Sequence, residues 1–154
     1  MSMHTHVKSD MTLPSDNTVQ AWARLVRAYQ TTFSFVENAL KNDGYPPLIW
    51  YDVLLELERA GDAGLRPFEL ERKLMLQQYG VSRLIERIEK SGHLKREVCK
   101  EDRRGQRLLI TKEGKKLRRK MWSIYGSAIE DVVGVKLTPK QTKTLSELLV
   151  KLID

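Results

Sequence analysis

The chain has 154 residues with 41% hydrophobic content, enough for one globular domain with a real core. Its formal net charge of +7 is segregated: residues 72–120 hold 17 Lys/Arg against 6 Asp/Glu, and the remainder holds 10 against 14, the electrostatic footprint of a polyanionic partner. A membrane role is disfavoured by the lack of any apolar run near the roughly 20 residues of a span, and the single Cys99 excludes an intrachain disulfide and fits a reducing cytoplasm.

The N-terminal MSMHTHVKSDM has no apolar core of a secretion signal and is expected to be a mobile arm over residues 1–15. His4 and His6 form only a weak metal pair there, and neither a metal nor another cofactor is expected. Asp16, Asn17 and Thr18 offer cap oxygens for a first helix over about 18–41. Val19, Trp22, Val26, Tyr29, Phe33, Val36 and Leu40 recur in it at alternating gaps of three and four. That heptad-like seam is suited either to a second copy of the chain or to packing within one subunit.

The Gly44 and Pro46-Pro47 break precedes a helix near residues 48–60, with Ile49, Val53, Leu54, Leu57 and Ala60 on one face. Gly61 to Gly64 end it, and Pro67 starts a short helix over 67–74 with Phe68, Leu70 and Leu74 expected inward. Next comes QQYGVSRLIERIEKSG, expected as a helix over 77–91 with Val81, Leu84, Ile85 and Ile88 as its apolar stripe. The opposite face holds Tyr79, Arg83, Glu86 and Lys90, with Ser82 and Arg87 on its flanks. Gly80 falls within the first turns of that expected helix, through close approach to a DNA backbone or through fraying of the helix start. Gly92 stops the helix.

Two β-type runs, 94–98 and 107–110, flank the basic turn KEDRRGQ. Two short helices with a tight turn, the second polar outside, read as a helix-turn-helix followed by a hairpin. Thr111 can cap a helix over 112–133, and Thr138-Pro-Lys-Gln141 is a capping-box pattern opening a helix over 139–153. The order ααααββαα describes a mainly α chain with a small β-hairpin, the module lying at 48–110 between apolar terminal helices.

VSRLIERIEKSGHLKR followed by EDRRGQRLLITKEG resembles the recognition helix and wing of MarR-type winged helix-turn-helix transcription regulators. The resemblance runs through the whole element order and is most specific at 77–114. It implies an obligate homodimer with interlocking terminal helices, bound to a pseudo-palindromic operator on double-stranded DNA. It also implies a repressor released by an oxidant or by a small phenolic or anionic effector. By position, the family's S/T-R-L-x-x-R-x-E segment is Ser82, Arg83, Leu84, Arg87 and Glu89. The wing's D-x-R is Asp102 and Arg104, and the following T-x-x-G is Thr111 to Gly114. The chain departs at Gln77, where Ser or Thr is common, at Glu86 for Asp, and at Ile88 for Leu.

The N-terminal half of a recognition helix faces base edges, which nominates Gln77, Gln78, Tyr79, Ser82 and Arg83. Arg83 has the planar fork for guanine or phosphate, and Gln78 can pair with adenine. Arg87 suits either a phosphate or a salt bridge to a wing carboxylate. The resemblance sends Arg104 into the minor groove with Asp102 orienting it, while Arg103 and Arg107 are phosphate candidates. Trp22, Tyr29, Trp50 and Tyr51 are either core or an effector pocket. Cys99 is either an oxidant sensor, activated by Lys100 and Arg103, or a small half-buried side chain.

No catalytic triad, phosphate-binding glycine loop, dinucleotide fingerprint or metal set is present, so an enzyme is not expected. The alternative to a sequence-specific regulator is a winged module for non-specific nucleic-acid coating or protein contact.

Overall fold

The structure is a computed structural model, describing residues 11–76, 79–98 and 105–154. Helix α1 (Asp16–Asn42) starts at Ser15, whose hydroxyl accepts from the Thr18 amide at 3.2 Å. The cap is thus one residue before the three expected from sequence, because Ser15 keeps the extended backbone that a cap needs. After the Pro46-Pro47 break, α2 (Leu48–Ala60) runs into a single 3-10 turn at Gly61–Ala63. Then α3 (Pro67–Lys73) begins with its proline in the first turn, and Glu69 accepts the Arg66 amide at 3.0 Å.

Helix α4 (Val81–Lys90) is shorter than the 77–91 expected. Gly80 stands outside it in the left-handed region at φ 76°, and its carbonyl accepts the Arg83 and Leu84 amides. Gly80 is therefore the helix's starting residue and not an interior defect, a conformation that costs glycine little. Gly92, at φ 84°, turns the chain out of α4 as expected.

Strands β1 (Leu94–Val98) and β2 (Gln106–Ile110) pair antiparallel, from Leu94 opposite Ile110 to Val98 opposite Gln106. A third piece joins them: Leu65 exchanges both backbone hydrogen bonds with Leu108. Gly64 permits this approach, since a Cβ there would lie 2.6 Å from the Leu108 carbonyl oxygen.

Helix α5 (Lys112–Ile129) is capped by Thr111, which accepts from the Gly114 amide at 3.0 Å, and ends in a π turn at Glu130–Gly134. Helix α6 (Pro139–Ile153) opens with the expected capping box of Thr138 and Gln141.

The core has two parts that meet at α2. On one face, Ile49, Val53, Leu54 and Leu57 pack with Leu70 of α3, Leu84, Ile85 and Ile88 of α4, and the strand residues Leu94 and Leu108. On the other, Leu48 and Tyr51 pack with Val36 and Leu40 of α1 and Met121 and Ala128 of α5. Helix α2 is thus the beam between the small helix–hairpin module and the long helices. Phe68 departs from its expected inward place: it is half-exposed, with the Arg72 guanidinium 5.5 Å over its ring.

The long helices leave apolar faces uncovered within one chain. Trp22 is 67% exposed and Val19 and Tyr29 are also open, while α6 buries no residue at all. No helix of the described residues is long and apolar enough to cross a membrane.

Candidate nucleic-acid interface

The 3.6-residue period divides α4 cleanly. Leu84, Ile85 and Ile88 are at most 2% exposed, which fixes the helix's rotation. Ser82, Arg83, Glu86, Arg87 and Lys90 are consequently turned to solvent. Neither Arg83 nor Arg87 has an ion-pair partner among the described residues, and Glu101 and Asp102, the wing carboxylates that the salt-bridge reading of Arg87 needs, lie outside them. Tyr79 is fully exposed but precedes the helix, on the chain leading into Gly80. Gln77, Gln78, Cys99, Lys100, Asp102, Arg103 and Arg104 lie outside the described residues.

The hairpin is tied to α4 by side chains that sequence reasoning missed. Arg96 of β1 donates from Nε to Glu89 Oε1 at 3.1 Å, and its Nη1 reaches Gln106 Oε1 at 3.3 Å. One guanidinium thereby spans the recognition-type helix and both strands. The signal was the Glu89 position itself, read only as part of a motif and not as half of a pair.

Arg107, expected as a phosphate candidate, also has partners within the protein. It donates to its cross-strand neighbour Glu97 at 3.0 Å and to the Ala63 carbonyl at 3.4 Å. Arg107 and, less strongly, Lys95 hold the Glu97 carboxyl below its ordinary range. Arg107 acts within the hairpin in this conformation, leaving Arg83, Arg87 and Lys90 as the solvent-facing cations of α4. Of the basic run at 115–120, Arg118 turns inward to pair with Glu58 of α2, while Lys115, Lys116, Arg119 and Lys120 stay exposed.

Two cavities adjoin the module. The larger, about 560 Å³, lies between α1 and α5 and is lined by Tyr29, Phe33, Val36, Met75, Leu76 and Tyr125, among others. The second, about 350 Å³, is lined by Tyr51, Asp52, Arg59, Met75, Trp122 and Tyr125. Of the four aromatic residues nominated from sequence, Tyr29 lines the first and Tyr51 the second. Trp22 and Trp50 line neither: Trp22 is on the open face of α1, and Trp50 packs edge-on against His93 at 6.1 Å.

A buried three-helix unit with an exposed polar helix and an adjoining hairpin defines a winged helix-turn-helix protein. Residues 43–105 match the model of the MarR family. The chain is 36% identical over 64 residues to the HTH-type transcriptional regulator PrsX of Escherichia coli, a match covering 42% of this chain and 39% of the relative. The match thus spans about two-fifths of that relative's length.

Across nearly the whole chain the fold is similar to Sco3205, a MarR family transcriptional regulator from Streptomyces coelicolor solved in complex with DNA. The TM-score is 0.81 at 26% identity, with 92% of each chain covered. The structure of BpsR from Bordetella bronchiseptica, whose DNA binding is regulated by 6-hydroxynicotinic acid, has the same fold. Its TM-score is 0.78 at 22% identity, covering 92% of this chain and 99% of that one. The chain thus carries a MarR-family match over residues 43–105 and, over nearly its whole length, the winged helix-turn-helix fold of MarR-family structures.

Proposed function

We propose that the protein is a sequence-specific, double-stranded DNA-binding transcriptional regulator that acts as a homodimer. The observation that carries this reading is the exposed face of α4, which presents Ser82, Arg83, Arg87 and Lys90 from a helix rotated by Leu84, Ile85 and Ile88. Helix α4 would lie in the major groove with Arg83 on a base edge or phosphate, and the hairpin tip would reach the minor groove. Gln77, Gln78, Tyr79, Arg103 and Arg104 complete the proposed contacts, with Asp102 orienting Arg104. The DNA complex of Sco3205 supports this assignment by fold.

The second copy accounts for the apolar faces that one chain leaves open on α1 and α6. Burying them between two chains would fix a pair of α4 helices at one spacing, as a pseudo-palindromic operator requires. Repression is the sense of regulation we infer, acting on DNA in the cytoplasm. The 560 Å³ cavity is the proposed effector site, its aromatic and aliphatic lining suited to a small planar ring. BpsR, with its hydroxylated aromatic acid, is a precedent of the same fold.

Selection of bound duplexes from random DNA tests the reading. Enrichment of an inverted repeat is expected, with binding at least a thousandfold tighter than to a scrambled duplex, of the order seen for specific regulators. Equal binding to both would instead identify a non-specific coat.

A further inference from the structure

Asp52 is the one charged side chain buried among the described residues, 6% exposed at the junction of the two core regions. Its Oδ2 accepts the Leu76 amide at 2.8 Å across 24 positions of sequence. This amide sits in the connection leaving α3, whose last turn ends at Leu74 with extended backbone. The same connection leads to Gly80, which starts α4 without a side-chain cap. Among the described residues, Asp52 is the only side chain hydrogen-bonded to the backbone of residues 74–76, 79 and 80.

Its surroundings give the bond a second significance. Met75 lines both cavities, Leu76 lines the larger, and Asp52 itself lines the smaller. An occupant that displaced Met75 or Leu76 would act on the segment that Asp52 holds. From this juxtaposition we propose that Asp52 is the positioning residue that sets the approach to α4, and that its bond to Leu76 links the cavities to the DNA-reading helix. The inference rests on the proposed function, but the bond it concerns is measurable without DNA.

The requirement is for an acceptor oxygen, so Asn satisfies it and Ala does not. The test uses the full-length protein, with fluorescence anisotropy on the selected duplex and amide hydrogen exchange resolved at Leu76. The wild type is expected to protect the Leu76 amide about as well as the amides within α4, although Leu76 is not in a helix. Asp52→Ala is expected to lose about tenfold in DNA affinity with an unchanged salt slope, since no phosphate contact is removed. Its Leu76 exchange should rise by a similar factor, and Asp52→Asn should restore both readouts to within about twofold.

Free exchange of Leu76 in the wild type would overturn the proposal even if Asp52→Ala failed to fold. Wild-type affinity in a folded Asp52→Ala protein would overturn it alone, as would Asp52→Asn failing like Ala. Absence of any duplex binding by the wild type would refute the functional reading and the positioning role together.

Discussion

Arg96 on β1 donates to Glu89 near the end of α4 at 3.1 Å, so a side-chain pair ties the hairpin to the helix. Both side chains are partly solvent-exposed, and such pairs contribute little to global stability. Their value lies in orientation. A double-mutant cycle with Arg96→Ala and Glu89→Ala is expected to give a coupling energy of about 0.2–1 kcal/mol in urea unfolding. Either single variant should weaken DNA binding while keeping the salt slope, because neither side chain is assigned to a phosphate. A fall in slope for Arg96→Ala would place it on the DNA instead.

Arg83 makes the opposite prediction. It is exposed and lacks an ion-pair partner among the described residues, so its removal leaves the fold undisturbed. Arg83→Ala should shift the unfolding midpoint negligibly and weaken binding by about 1–3 kcal/mol if it reads a base. If it holds only a phosphate, the salt slope falls by about 1 with no change in sequence preference. Titrations at several salt concentrations, on matched and mismatched duplexes, separate the two. No effect in either would remove Arg83 from the interface.

Gly114 lies in the first turn of α5 where it crosses the corner between α4 and β1. A Cβ there would collide with the His93 carbonyl oxygen, which also accepts the Thr111 amide. Backbone cannot move aside as a flexible side chain can. Gly114→Ala is expected to cost about 1–3 kcal/mol, the range for overpacking a filled site. A denaturation midpoint equal to wild type would show that the α5 start has room to shift.

These residues also mark how far the sequence could be read. The spacing of Val81, Leu84, Ile85 and Ile88 specifies the buried stripe of α4, and Thr111 and Thr138 announce their helices through cap chemistry that is local in sequence. Local patterns failed where the deciding partner was distant. Gly80 looked like an interior helix residue because periodicity carries no information about φ. The single bridge of Leu65 to Leu108 is too short to have a period. Nothing in the sequence around Asp52 marks it, because its partner is a backbone amide 24 positions away. Among the candidate DNA ligands, exposure of Ser82, Arg83 and Arg87 followed from the stripe, whereas the engagement of Arg107 with Glu97 depended on strand register.

Burial raises the Asp52 carboxyl above its ordinary range, against the lowering effect of the Leu76 and Met75 amides, with Glu56 adding to the rise and Arg59 opposing it. Between the unfolded and folded values the native state binds more protons than the unfolded state. Stability from this group therefore falls as pH rises through that window and is level above it. Asp52→Asn, which stays neutral, should be more stable than wild type at pH 7, and its advantage should shrink on acidification into the window. Urea midpoints of both proteins across that pH range measure this. An advantage that does not change with pH would contradict it.

The central claim is that two α4 helices, held at one spacing by the apolar faces of α1 and α6, read one operator. Hydroxyl-radical footprinting of the selected duplex, compared between wild type and Trp22→Glu, tests this most directly. Trp22 is on the open face of α1, so a charge there should break the pairing of chains without disturbing the module. The wild type should protect two half-sites about one helical turn apart, and Trp22→Glu should lose that paired protection at the same protein concentration. A single protected half-site for wild type, or paired protection that survives in a monomeric Trp22→Glu protein, would contradict the account.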